Sequence, residues 1–207
     1  MNQPVRDLHP PTTQAAEGLP RRRWTVAEIE RLSDLGVFGG HDNRPRERFE
    51  LIGGEIVPMS AKGNRHEVLK SELQRYWFPL VATRDISLVT ETTLRYAPDS
   101  FLEPDFIFWP RSISLAEISC PTTLLLVEVA DSSMAYDTGR KARIYAGLGL
   151  REYWVVNANT LVTTIHLRPS PDGYADVTEH ARNTRIVPHL VPELALAMAD
   201  LGIEPLR

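Results

Sequence analysis

Residues Thr123-Leu124-Leu125-Leu126-Val127-Glu128-Val129-Ala130 form an apolar run interrupted by a single carboxylate. Pro121 bounds the run on one side and Asp131-Ser132-Ser133 on the other, so it reads as a strand buried on both faces. An ionised carboxylate left unpartnered in such a place is costly. Glu128 therefore needs a metal, a cation or a proton, and each of these suggests a functional site. Asp105 repeats the pattern: it follows Pro104 and opens the apolar strand Asp105-Phe106-Ile107-Phe108-Trp109. Strand alternation puts Leu124, Leu126, Glu128 and Ala130 on one face, and Leu125, Val127 and Val129 on the other. With the two strands as neighbours, Asp105 falls beside Glu128.

A chain of 207 residues is long enough to bury a proper core. Hydrophobic and charged fractions of 43% and 24% exclude disorder of the whole chain. No apolar stretch approaches the roughly 20 residues that span a bilayer, and the N-terminal residues lack the apolar core of a signal peptide. The lone Cys120 excludes an internal disulfide and a cysteine zinc site. These features lead us to expect a cytoplasmic protein with no membrane association. A net charge of −4 argues against a protein that coats nucleic acid nonspecifically, while leaving room for a local basic groove.

Residues 1–22 are rich in Pro, Thr, Gln and charge without periodicity and are expected to form a flexible tail ahead of a single domain over 23–207. Arg21-Arg22-Arg23 reads as a solvated end of that tail rather than a phosphate contact. Thr25-Val26-Ala27-Glu28 is a capping box, with Trp24 and Ile29 placed as its hydrophobic staple; the helix should end near Gly36, before Gly39-Gly40-His41-Asp42-Asn43. Two short apolar runs flank Gly53-Gly54, a hairpin signal. A helical face follows at Val68, Leu69, Leu73, Tyr76 and Trp77, closed by Pro79. Residues 86–96 read as one strand, Thr138 to Ala146 as a helix with Ile144 and Tyr145 inward, and Glu152 to Asn157 as a strand. A last hairpin turns at Pro171-Asp172-Gly173. The order of elements predicts an α/β or α+β fold, a sheet with helices against it.

Two carboxylates a few ångströms apart repel each other unless a cation sits between them. Hard oxygen ligands without a cysteine pair point to Mg²⁺ or Mn²⁺. Lys141, on the helix after the Glu128 strand, can orient a water or stabilise charge on a phosphate. Metal and lysine together are a minimal kit for phosphodiester hydrolysis, and Glu50 in the first hairpin could complete the acidic cluster.

These residues, in the order Phe49-Glu50-Leu51-Ile52-Gly53-Gly54-Glu55-Ile56, His66, Pro104-Asp105, Leu126-Val127-Glu128-Val129, Asp137, Lys141, Tyr145 and Glu152-Tyr153-Trp154-Val155-Val156, resemble the Uma-type restriction endonuclease family of the PD-(D/E)XK phosphodiesterase superfamily. The resemblance covers roughly residues 24 to 200. It implies a restriction-endonuclease-like core, a mixed central sheet with flanking helices and an N-terminal β-hairpin extension. It also implies a Mg²⁺- or Mn²⁺-dependent DNA endonuclease in which Asp105 and Glu128 bind the metal, Glu50 is an additional acid, and the protein pairs as a homodimer. The superfamily's lysine normally lies two residues after the second acid, where this chain has Ala130; Lys141 on the following helix takes its place. Gly53, Asp131 and Asn157 stand where the family usually has Asp, Ser and Asp.

Plainer readings stand beside these. Asp105 could cap a turn, Glu128 could pair with Arg140 or Arg143, and Lys141 could form an i,i+4 pair with Asp137 worth a few tenths of a kcal/mol. Glu50 could be an ordinary exposed hairpin acid. His66 is expected to cap its helix or support the cleft rather than bind metal, and Cys120 lacks a base that would make it a nucleophile. Trp77, Trp109, Tyr153 and Trp154 belong to the core. The competing function is a nuclease-fold protein that binds nucleic acid or a partner without cutting. A glycosidase built on the carboxylate pair is remote, because Lys141 has no place in that chemistry.

Overall fold

A computed structural model describes residues 21–40 and 46–206. The expected tail lies outside the described residues as far as residue 20, as do His41, Asp42 and Asn43 of the expected glycine loop. The chain divides into two compact units, one comprising the residues up to Met59 with Ala97–Leu102, the other Ser60–Tyr96 with Glu103–Arg207.

In the smaller unit, α1 (Val26–Asp34) starts as its sequence requires. The Glu28 N–H donates to Thr25 Oγ1 at 3.2 Å and the Thr25 N–H donates to Glu28 Oε2 at 2.9 Å, so the box satisfies two otherwise orphaned amides. Strands β1 (Phe49–Ile52) and β2 (Glu55–Pro58) pair antiparallel with Ile52 opposite Glu55. Gly53 and Gly54 between them have φ of 56° and 78°, the left-handed pair that a two-residue hairpin turn demands. Leu51 also pairs with Phe101 of β5 (Ser100–Leu102). Val26, Ile29, Leu51 and Phe101 form the core of this unit, with Trp24, Phe38, Phe49 and Ile56 packed on it.

The larger unit is built on a six-stranded sheet of β3 (Ile86–Thr90), β6 (Phe106–Pro110), β7 (Leu125–Ala130), β8 (Glu152–Asn157), β9 (Thr163–Ser170) and β10 (Gly173–His180), in the order β10-β9-β8-β7-β6-β3. Only β7 and β8 run parallel, joined by a helical crossover; the other neighbours are antiparallel, giving the mixed α+β class expected from the sequence. The odd-numbered face of β7, Leu125, Val127 and Val129, packs with Leu69, Leu73, Trp77 and Val81 of α2 (Asn64–Ala82). Trp77 meets Phe106 and Phe108 edge-on, with ring centroids at 5.3 and 5.1 Å. Parity therefore sends Glu128 to the opposite face, the side of the crossover helix.

The structure corrects four sequence expectations. Pro79 does not close α2, which runs on to Ala82. Val81 is buried in the core, and its carbonyl and that of Leu80 accept from Arg111 Nη2 at 2.9 Å and Arg84 Nη1 at 2.5 Å, so core packing and satisfied terminal carbonyls hold the last turn. Residues 86–96 are not one strand: Glu91, at φ 54°, breaks the chain into β3 and β4 (Leu94–Ala97). The crossover helix starts before Thr138, as α3 (Met134–Tyr136), a π-helical turn Asp137–Lys141 and α4 (Ala142–Gly147). Ile144 on it is only half-buried, whereas Tyr145 is fully buried.

Candidate active site

Asp105 lies one step beyond the last antiparallel pair of β6 and β7, Phe106 with Val127, and so stands opposite Glu128. Two bonds lock that register: the Asp105 N–H donates to Glu128 Oε2 at 3.3 Å, and the Val129 N–H donates to Asp105 Oδ2 at 2.9 Å. Both acids are buried, at 5% and 3% exposure, which makes compensation of their charge obligatory.

Glu128 is compensated from the crossover helix. Lys141 Nζ is 2.8 Å from Glu128 Oε1, and the Tyr145 hydroxyl donates to the same oxygen at 3.2 Å. Lys141 ends the π-helical turn that begins at Asp137, and the wider turn leaves both of these residues buried. Such turns frequently mark functional sites because they re-aim side chains within a helix. Asp137 is held by the Ser133 hydroxyl, and its carbonyl accepts from the Tyr153 hydroxyl at 3.1 Å.

Asp105 is compensated from α2 and the segment before it. His66 Nε2 lies 3.1 Å from Asp105 Oδ2, and Lys62 Nζ donates to Asp105 Oδ1 at 3.1 Å. Burial alone would raise this carboxyl, but His66, Lys62 and the Val129 N–H together hold it well below the usual carboxylate range. Behind Lys62 stands Glu91, which also receives Lys70 at 2.9 Å; despite the upward push of partial burial, Lys62 and Lys70 bring its carboxyl down to about 2.

Of the acids and lysine singled out in the sequence, the structure brings together Asp105, Glu128 and Lys141. Glu128, for which the plainer reading allowed Arg140 or Arg143, is paired with Lys141. His66 supports Asp105, in keeping with a supporting role. Glu50 belongs to the smaller unit, opposite Val57 of β2, and at 2% exposure it is not the exposed hairpin acid of the plain reading. Sequence reasoning missed Lys62, Glu91 and Lys70, which carry no motif, and placed Tyr145 inward and in the family pattern without joining it to Glu128. Cys120 is buried, which pushes its thiol up to about 12 and removes it as a nucleophile. Arg21 and Arg22 are engaged with Glu55 and Glu28, which accounts for their charge without a phosphate.

Among the described residues, no group of three or more His, Cys, Asp or Glu side chains could hold a metal ion. Two opposed carboxylates nevertheless suit Mg²⁺ or Mn²⁺, since Mg²⁺ commonly keeps most of its waters and takes one or two carboxylates together with substrate phosphate. Oδ2 of Asp105 accepts from Val129 and His66, and Oδ1 from Lys62, so a cation that took Oδ1 would have to displace one partner rather than two. Among the described residues no helix is long and apolar enough to cross a membrane.

The family described as "Uma2: Putative restriction endonuclease" matches residues 27–199 of the chain. A crystal structure of a putative nuclease belonging to DUF820 from Anabaena variabilis has a similar fold, with a TM-score of 0.61 at 15% identity over 86% of this chain and 96% of that one. No curated protein matches.

Proposed function

The chain belongs to the Uma2 family, described as putative restriction endonucleases, and on that premise we propose that it is a metal-dependent DNA endonuclease hydrolysing phosphodiester bonds through Asp105, Glu128 and Lys141. The observation that carries this reading is the pair of buried, opposed carboxylates with the Lys141 ammonium 2.8 Å from one of them. Asp105 and Glu128 would hold Mg²⁺ or Mn²⁺, which supplies Lewis acidity toward a phosphate oxygen and acidifies water. The protein's own groups do the rest. His66 and the Val129 amide keep the Asp105 carboxyl ionised and fixed at Oδ2. Tyr145 and Lys141 fix Glu128 from the helix side, and the Lys141 ammonium is placed to orient the attacking water or to offset charge that develops on the phosphate. Glu50 enters this proposal as the additional acid that the family resemblance implies, and the homodimer enters on the same ground.

A second reading has its own support. Lys62 and Lys141 already pair with the two acids without a metal, as suits a nuclease-fold protein that binds nucleic acid without cutting it. Nicking of supercoiled DNA separates the two. Wild type should cut with Mg²⁺ or Mn²⁺ and fail with chelator, and Asp105→Ala should fail with either metal. Retention of DNA binding without any cleavage under these conditions would favour the second reading.

A further inference from the structure

Lys62 bridges the candidate metal acid and the charged cluster outside it. Its Nζ donates to Asp105 Oδ1 at 3.1 Å and also engages Glu91 Oε1. Since Oδ2 is committed to the Val129 amide and His66, the oxygen Lys62 occupies is the one a metal would need. Its side chain is 15% exposed against 7% for Asp105, so Lys62 reaches solvent more than the acid it pairs with. Glu91 is shaped to keep a hold on it. This residue takes the left-handed conformation at φ 54°, unusual for a non-glycine, and its N–H donates to the Asp105 carbonyl at 3.3 Å. Lys70, itself paired with Glu67 at 2.9 Å, steadies the Glu91 carboxylate from α2.

We propose that Lys62 is a displaceable counterion: it neutralises Asp105 in the metal-free protein, yields Oδ1 to an incoming divalent cation, and stays held by Glu91 at the edge of the site. The proposal rests on the reading of Asp105 as a metal-binding acid. It assigns Lys62 a positioning role, because the lysine acts through Asp105. A buried carboxylate must keep a positive partner at all times, and a lysine shared with a second acid can leave without itself becoming unpaired. An opposite charge within about 4–6 Å changes a carboxylate's affinity for a proton by about one to three powers of ten, and a metal competing for the same oxygen meets the same opposition.

Two measurements test this. Calorimetric titration with Mn²⁺ should show binding about tenfold tighter in Lys62→Met than in wild type, and a clearly smaller change in Lys70→Met, which removes an equal charge from Glu91 but does not touch Asp105. Equal changes in the two variants would reduce Lys62 to a general field effect and overturn the proposal. In chelator, thermal unfolding of Lys62→Met, Asp105→Asn and the double variant should be non-additive, with the double variant losing less than the two singles together; additive losses would overturn it as well. Normal wild-type Mn²⁺ binding with no tightening in Lys62→Met would overturn the counterion role alone. A wild type that binds no Mn²⁺ would overturn both the counterion role and the metal reading beneath it.

Discussion

Lys141 Nζ stands 2.8 Å from Glu128 Oε1 and 4.0 Å from Asp137 Oδ1, so its principal partner is the buried strand acid rather than its neighbour on the helix. The two partnerships differ in energy. The Asp137 contact is the longer of the two, and removing one member of a close buried pair costs about 3–5 kcal/mol. Lys141→Met should therefore lose about 3 kcal/mol or more in urea unfolding, with Asp137→Asn losing clearly less. Measured on the folded fraction, cleavage by Lys141→Met should also fall about a hundredfold or more. Equal, small effects in both variants would make Lys141 a structural residue of the helix.

What was legible in the sequence was whatever periodicity and charge in apolar context could encode. Alternation along 124–130 puts Glu128 on the face away from Leu125, Val127 and Val129, and a neighbouring strand after Pro104 is expected to bring Asp105 beside it; the two acids do stand opposite each other. Thr25 and Glu28 announced their helix because a capping box is local chemistry. Lys62 was not legible, since a lysine in an irregular segment gives no direction to its side chain. Glu91 was not legible either: Thr90-Glu91-Thr92 continues a β-like pattern, whereas the folded residue is left-handed and meets Asp105, Lys62 and Lys70 from distant parts of the chain. Pro79 misled because the burial of Val81 outweighs the loss of one helical donor.

Tyr145 offers a narrower test of how Glu128 is held. Its hydroxyl donates to Glu128 Oε1 at 3.2 Å, and its ring packs on Tyr153 with centroids 5.0 Å apart. Tyr145→Phe keeps the ring and removes the donor. A hydrogen bond to a charged group contributes about 1.5–3 kcal/mol, so urea unfolding should show a loss within that range. A change below about 0.5 kcal/mol would mean that Lys141 holds the carboxylate without help.

Metal binding should be visible in stability before any substrate is present. A cation bound only by the folded state stabilises it by about 2.7 kcal/mol at a hundred times its Kd. Mn²⁺ should thus raise the Tm of wild type in a concentration-dependent way and leave the Asp105→Ala, Glu128→Ala double variant unchanged. An equal rise in the double variant would place the metal elsewhere.

The remaining buried acid, Glu152, gives a prediction on pH that is independent of the candidate active site. It starts β8 at 1% exposure, with Oε1 accepting from Trp154 Nε1 and Oε2 from the His189 N–H, each at 2.8 Å. Burial raises its carboxyl above the ordinary value of 4.5, outweighing the opposite pull of His189 and Trp154. The native state therefore keeps this proton to a higher pH than the unfolded chain does. Its contribution to stability is fully present below about 4.5 and is lost as pH rises through the raised native value. Glu91, held down at about 2, acts with the opposite sign and at lower pH, so the two do not overlap. Urea unfolding of wild type should accordingly weaken as pH rises above about 4.5 relative to Glu152→Gln, in which this titration is absent. Glutamine offers one acceptor where two donors converge, so the variant should be the less stable protein at pH 5, with the gap narrowing toward neutral pH. A gap that stays constant across that range would show that Glu152 is ionised in the native state throughout it.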